Sequence, residues 1–329
     1  MDPLSHALLG ASCGQSGARR NQLIAAAGVA LVAAISPDLD ALIQSSADPL
    51  LFLEYHRQFT HALAFVPLGA LLCTAACWRF VRSHLSFRHA YVLAMLGYTS
   101  HLLLDACTTF GTQLLWPFSG TRFAWNFIAV IDPLFTLPVL ALAAAALLAR
   151  RAAFARAAAA WAVVYLAFGA LQHARATAAA EALAASRGHV PATLVVTPAL
   201  FSLLLWKSIY EHEGNFHVDA VRAGLATMPL PGETIAKLDA ARDFPWLEPS
   251  SQQARDVARF TRVANGFVAV DKAAALRVID LRYSLVPNEI AGFWAIVLNP
   301  SASSAEHVDY ITTRDQAPEQ ARRLFTMLF

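Results

Sequence analysis

Six apolar segments recur in the first 175 residues, at about 3–16, 22–36, 59–79, 90–106, 127–149 and 157–173. Charge is thin around them. Residues 1–189 hold 12 Arg, no Lys and 8 acids, about 11% charged, where residues 190–329 reach about 20% and an ordinary globular chain about a quarter. The first part therefore reads as embedded in a membrane, and the second as a water-soluble domain. Across the chain, 57% of residues are hydrophobic and 15% charged, with four Cys and 15 Gly. That composition excludes disorder, collagen-like repeats and a disulfide scaffold. A net charge of +2 gives no reason to expect nucleic acid as a partner.

The connections carry an orientation. Arg19, Arg20, Arg79, Arg82, Arg88, Arg150, Arg151 and Arg156 fall in one set of loops, with no acid among them. The opposite set holds Asp38, Asp40, Asp48, Glu54, Arg57, Asp105 and Arg122. Arginine-rich loops stay in the cytoplasm, so six crossings would put both termini and the soluble domain outside. The first two segments are short of the roughly 20 residues that a bilayer asks of a helix, and they read equally as a tilted or re-entrant hairpin. The first 18 residues lack Lys and Arg, so no cleavable signal peptide is expected.

The expected fold is a multi-pass α-helical membrane bundle over residues 1–175, of five or six helices, followed by a small soluble α+β domain over 190–329. In that domain Thr193–Thr197, Phe201–Tyr210, Phe216–Val221, Phe267–Val270, Arg277–Ser284 and Phe293–Leu298 read as strands. Turns are expected at Gly214-Asn215 and Asn265-Gly266, and helices at Gln253–Arg262 and Glu319–Leu328. No catalytic motif stands out there, and the domain has no cysteine.

Ionisable groups at membrane helices are costly, which makes them functional candidates. His6 opens the first segment and Ser36-Pro37-Asp38-Leu39-Asp40 closes the second. His56-Arg57-Gln58-Phe59-Thr60-His61 opens the third, His101-Leu102-Leu103-Leu104-Asp105 closes the fourth with Thr108 after it, and Asp132 begins the fifth. In an up-and-down topology every one of these lies at the same, outer end. His101 and Asp105, at i and i+4, share a helical face and can reach one ion. Imidazole with carboxylate suits catalytic Zn²⁺, and tolerates Mn²⁺ or Fe. Of Asp38 and Asp40, two apart on a proline turn, one can bind metal while the other orients a histidine. Arg57 can neutralise an anionic substrate oxygen, phosphate above all. His84 and His89, on the arginine-rich side, read as solvated, and His173, His212, His217 and His307 show no partner at ligand spacing. No Cys-x2-Cys pair exists, which argues against a structural zinc site.

The run Asp2-Pro3-Leu4-Ser5-His6, then SPDLD at 36–40, HRQFTH at 56–61, and His101 to Asp105 with Thr108, Gly111 and Leu114-Leu115-Trp116-Pro117-Phe118, resembles the LexA-regulated, membrane-bound metal-dependent hydrolase family. The resemblance covers about residues 1–175. It implies His6, Asp38 or Asp40, His61, His101 and Asp105 as metal ligands, with His56 and Arg57 beside them; Gln58 stands where such a motif often has Gly. The order of ligands is also, more distantly, similar to that of zinc-dependent phospholipase C, although no second His-x3-acid pair is visible here.

The expectation is a hydrolase at the outer face of an inner membrane. One or two divalent ions, zinc first, would be held by His6, Asp40, His61, His101 and Asp105. Asp38, or its neighbour Asp40, would act as base, with His56 beside it. Arg57 and Thr108 would face a membrane lipid or lipid-linked phosphoester, and Asp132 is a further candidate. The competing readings are an ion transporter and a metal-stapled membrane protein. Transport would prefer polar groups at mid-membrane and on both sides.

Overall fold

The computed structural model describes residues 1–312 and 317–328. Its helices are α1 (Pro3–Ser16), α2 (Leu23–Ile35), α3 (Leu51–Tyr55), α4 (Val66–Val81), α5 (Phe87–Ala106), α6 (Pro133–Leu148), α7 (Ala152–Ser186), α8 (Ala240–Asp243), α9 (Gln252–Val263) and α10 (Ala317–Leu328). The strands are β1 (Thr193–Pro198), β2 (Leu205–His212), β3 (Asn215–Ala223), β4 (Thr227–Ala236), β5 (Val268–Asp271), β6 (Ala274–Asp280), β7 (Trp294–Val297) and β8 (Asp309–Thr312). The chain divides into two units, Met1–Leu42 with Tyr55–Leu171, and Ile43–Glu54 with Gln172–Phe329.

The first unit is helical. Asp2 starts α1 by accepting the Ser5 backbone N–H at 3.0 Å and its hydroxyl at 2.7 Å, with Pro3 in the first turn. Small residues then let α1, α2 and α5 approach backbone to backbone. A Cβ at Gly10 would collide with Ala34, one at Gly14 with the Ala26 carbonyl, and one at Gly97 with the Ala30 carbonyl. Such seams are characteristic of helices packed in lipid, where close van der Waals contact replaces hydrophobic burial as the driving force. Leu23, Val29, Val66, Leu93, Tyr98 and Leu102 fill the adjoining core.

Two helical stretches, Leu63–Val81 and Ala152–Ser186, are long and apolar enough to cross a membrane. This narrows the expectation of six crossings. α1, α2 and α6 have 14, 13 and 16 residues, below the usual span. α5 has 20 residues, but Arg88, His89, His101 and Asp105 dilute its apolarity. The third segment also starts later than expected. Residues 59–65 form two 3-10 turns, Phe59–His61 and Leu63–Phe65, and α4 begins at Val66 with Pro67 in its first turn.

The second unit contains two antiparallel four-stranded sheets, ordered β1-β2-β3-β4 and β5-β6-β7-β8. Ile209, Phe216, Val218 and Ile235 of the first share a core with Phe267 and with Ala269, Ile279 and Ala295 of the second. Glu213 (φ 48°) and Gly214 (φ 71°) close the β2–β3 hairpin, a two-residue turn that requires the left-handed region. β4 was not expected from the sequence because Pro229, Pro231 and Gly232 interrupt it. It lies at a sheet edge, where a missing N–H costs no ladder bond. β2 starts at Leu205 rather than Phe201, since Phe201 takes φ 68°. The segment Ile43–Glu54 also packs here: Leu50 and Leu53 enter a core with Phe244, Val257 and Phe260. Arg259 binds Asp48 and Glu54 at 2.8 Å each, and Asp256 at 3.0 Å.

Candidate metal centre

Three neighbouring elements of the helical unit bring the site together. Pro37 follows the end of α2 and the chain turns into a 3-10 segment, Pro37–Leu42, that carries Asp38 and Asp40. The turn Phe59–His61 carries His61, and the last two turns of α5 carry His101 and Asp105.

His61 Nε2 and His101 Nε2 stand 3.0 Å apart. Asp105 Oδ2 is 3.3 Å from each, and Asp38 Oδ1 is 3.6 Å and 3.5 Å from them. Four bonds of 2.0–2.1 Å around a tetrahedral ion imply ligand separations of about 3.3 Å. The four atoms therefore have the spacing of a single first-row cation site. His61, His101 and Asp105 are fully buried, while the Asp38 side chain keeps 27% of its surface exposed and forms the open side.

Protons sharpen that fit. His101 Nδ1 lies 2.6 Å from the Ala34 carbonyl, which can only accept, so Nδ1 carries the hydrogen and Nε2 a lone pair. His61 Nδ1 faces the Asp40 carboxylate at 3.1 Å and Thr60 Oγ1 at 3.0 Å, which places its hydrogen there too. Two imidazole lone pairs then oppose each other at 3.0 Å, an arrangement that repels unless a cation or proton lies between them. Asp105 Oδ2, at the same point, is buried and lies 2.9 Å from Arg57 Nε, an ion pair outside hydrogen-bond geometry among the described residues. Its other oxygen is engaged, 2.5 Å from the Met1 amine and 3.0 Å from His6 Nε2.

The candidates from the sequence take distinct places. Asp40, expected as a ligand, has both oxygens occupied: His56 Nδ1, Arg57 N and Thr60 Oγ1 all lie at 2.9 Å, besides His61. Asp38, expected as base, is the carboxylate that faces the two Nε2 atoms. His6 stands one contact away, bound to Asp105 and stacked on His101 with ring centroids 3.7 Å apart. Arg57 takes φ 61°, a left-handed conformation unusual for its type. Its Nε is 2.9 Å from Asp105 Oδ2 and its Nη1 2.7 Å from Thr108 Oγ1. Thr108 in turn donates to the Asp105 carbonyl at 2.8 Å. Asp132 caps α6 by accepting from Leu134 N and Phe135 N, and takes the Tyr165 hydroxyl at 2.8 Å. Asp38, Asp40 and His56 form an adjoining group of metal-binding spacing.

Sequence reasoning missed three contributors. The Ala34 carbonyl leaves no trace in residue type. Phe110 lies under both Arg57 and Arg122, 5.5 Å and 5.1 Å from its ring. Arg122 donates to the His56 carbonyl at 3.1 Å; its signal was its place among the acid-rich loops.

The chain is similar to curated proteins over part of its length. YfhP of Bacillus subtilis, an uncharacterized protein, is 26% identical over 98 residues, 30% of this chain and 29% of YfhP. The inner membrane protein YbcI of Escherichia coli is 34% identical over 104 residues, 30% of this chain and 59% of YbcI. The chain thus matches less than two thirds of the length of either relative. No solved structure matches. The family model for the YdjM inner membrane protein matches residues 1–176, which include His6, Asp38, His61, His101 and Asp105, and the chain belongs to the YdjM inner membrane protein family.

Proposed function

We propose that this protein is a membrane-embedded, metal-dependent hydrolase of phosphoesters or lipid-linked substrates. The observation that carries the reading is the convergence of Asp38 Oδ1, His61 Nε2, His101 Nε2 and Asp105 Oδ2, with both imidazoles oriented from behind. A divalent cation held there, zinc first and manganese or iron next, supplies Lewis acidity and a water of lowered pKa. Asp40 acts from behind as the group that holds His61 and His56 in place.

The surrounding residues suit hydrolysis better than a closed structural staple. Asp38 and the His56 side chain, 27% and 18% exposed, open the site to the outside. With His56 Nδ1–H donating to Asp40, His56 Nε2 is the basic atom and can accept a proton from water at the mouth. Arg57, held by Thr108, presents a guanidinium to an anionic oxygen that enters beside Asp105. A lipid-linked substrate follows from the setting, since the site is built on the ends of apolar helices.

The same reading includes a multi-pass topology. The arginine-only loops lie in the cytoplasm, and the centre and the C-terminal unit face the periplasm. The test is metal analysis of the purified full chain beside His101→Ala and Asp105→Ala, followed by turnover of phosphodiesters and phospholipids on the same samples. Bound metal lost in both variants, with turnover lost alongside it, supports the proposal. Metal in the wild type without turnover of phosphodiesters, phospholipids or acyl esters would favour the staple.

A further inference from the structure

β2 carries a lysine into the interior of the C-terminal unit. Lys207 is 3% exposed. Its Nζ lies 2.9 Å from Ser284 Oγ, 3.1 Å from the Pro287 carbonyl and 3.1 Å from the Glu289 carbonyl. Ser284 Oγ is also 2.8 Å from the Val286 carbonyl. A count of hydrogens shows what this arrangement permits. As an ammonium, Lys207 gives one hydrogen to each of its three partners, and the serine hydrogen goes to Val286. As a neutral amine it has two hydrogens, which the two carbonyls must take, and its lone pair is left for the Ser284 O–H. Both protonation states are fully satisfied, and they differ in where the serine proton points.

Ser284 also lines a cavity of about 200 Å³, with Leu285, Ile290, Ala291 and Phe293 as its apolar wall. Arg277 belongs to the same wall, paired with Asp271 at 3.0 Å, and its buried Nε has no partner among the described residues. The volume is below the roughly 300–1,000 Å³ of pockets for drug-sized ligands, so the group it accepts is small.

We propose that Ser284 and Lys207 form a second, metal-independent site, a serine nucleophile with a lysine base, acting on an ester or amide that carries a small acyl group. Serine–lysine pairs are a known variant of the nucleophile–base arrangement. The Ser284 Oγ–carbon bond forms as the Oγ proton moves to Nζ. The carbon–leaving-group bond breaks, and the leaving group takes that proton. Water then attacks the acyl-serine, gives its proton to neutral Nζ, and the serine recovers its hydrogen as the acid departs. Arg277 Nε is a donor for the carbonyl oxygen.

The base must be neutral near pH 7 to act. Burial pushes Lys207 down to about 7, against the carboxylates of Asp280, Glu289 and Glu233, which favour its charged form. This site stands independently of the metal centre, and its test keeps the two apart. The full chain in detergent is treated with a fluorophosphonate, which loses fluoride to an activated serine, and the labelled peptide is identified by mass spectrometry. Label is expected on Ser284, unaffected by a chelator or by His101→Ala. Ser284→Ala should remove it while the chain still melts cooperatively, at a somewhat lower temperature because buried Lys207 loses one of its three partners. Lys207→Met should remove it as well. In the wild type the labelling rate should climb about tenfold per pH unit below about pH 7 and level off above it. The last result needs no variant and so is immune to misfolding. Absence of label up to about pH 9, a flat profile across that range, or label that persists in Ser284→Ala would each overturn the proposal.

Discussion

Asp38 and Asp40 sit two residues apart and are chemically identical, yet their surroundings give them different sensitivities. Asp40→Asn keeps the shape but leaves one oxygen and one NH₂ where four donors converge: His56 Nδ1, Arg57 N, Thr60 Oγ1 and His61 Nδ1. The amide must turn its NH₂ toward at least one of them, and His61 loses the anion that fixes its tautomer. Damage of this kind, one step removed from the ion, costs about 10–100-fold in metal affinity, which is about 1.4–2.7 kcal/mol. Asp38→Asn removes an anionic ligand itself, so its loss should exceed that range. The assay is a competition titration of Zn²⁺ between the detergent-purified chain and a chromophoric chelator at fixed pH, with melting curves to check folding. The reasoning fails if Asp40→Asn strips the metal while Asp38→Asn binds it like the wild type.

Further outcomes follow from other parts of the chain. A reporter fused near Arg82 or Arg151 should read as cytoplasmic and one fused after residue 329 as periplasmic; the reverse pattern would move the metal centre to the inner face. Arg57→Ala should keep bound metal but lose turnover, by about 2–4 kcal/mol of transition-state stabilisation, and Arg57→Lys should recover little of it. Unchanged turnover, in an assay where His101→Ala is inactive, would reduce Arg57 to a structural partner of Asp105 and Thr108. Lys207 is pushed down to about 7 by burial, so between that value and its unfolded value the unfolded chain binds more protons. Stability of the C-terminal unit should therefore rise with pH above about 7, by up to about 1.4 kcal/mol per unit. Melting curves across that range check this, and Lys207→Met should flatten the slope.

Much of the helical unit was legible because its signals are local. Apolar runs set by composition lie close to α1, α2, α4, α5, α6 and α7, and the i, i+4 spacing alone puts His101 and Asp105 on one face. In the C-terminal unit, alternation and turn residues located β1, β3 and α9 closely. β4 was hidden, since proline is read as a strand breaker until its place at a sheet edge is known.

Residue type and spacing determined which side chains can bind a cation and that they gather at one end of the helices. Tertiary structure decided what surrounds each carboxylate. Asp38 and Asp40 carry the same charge on the same turn, and they differ only in the groups that folding brings to them: His56, Arg57, Thr60 and His61 for Asp40, and the two Nε2 atoms for Asp38. Those groups come from segments up to about 60 residues away in the chain, whose register depends on glycine seams between helices, and no local pattern records it. The same holds for Lys207 and Ser284, 77 residues apart. Each is an ordinary strand or loop residue in sequence, and burial in one shared interior is what makes them a pair.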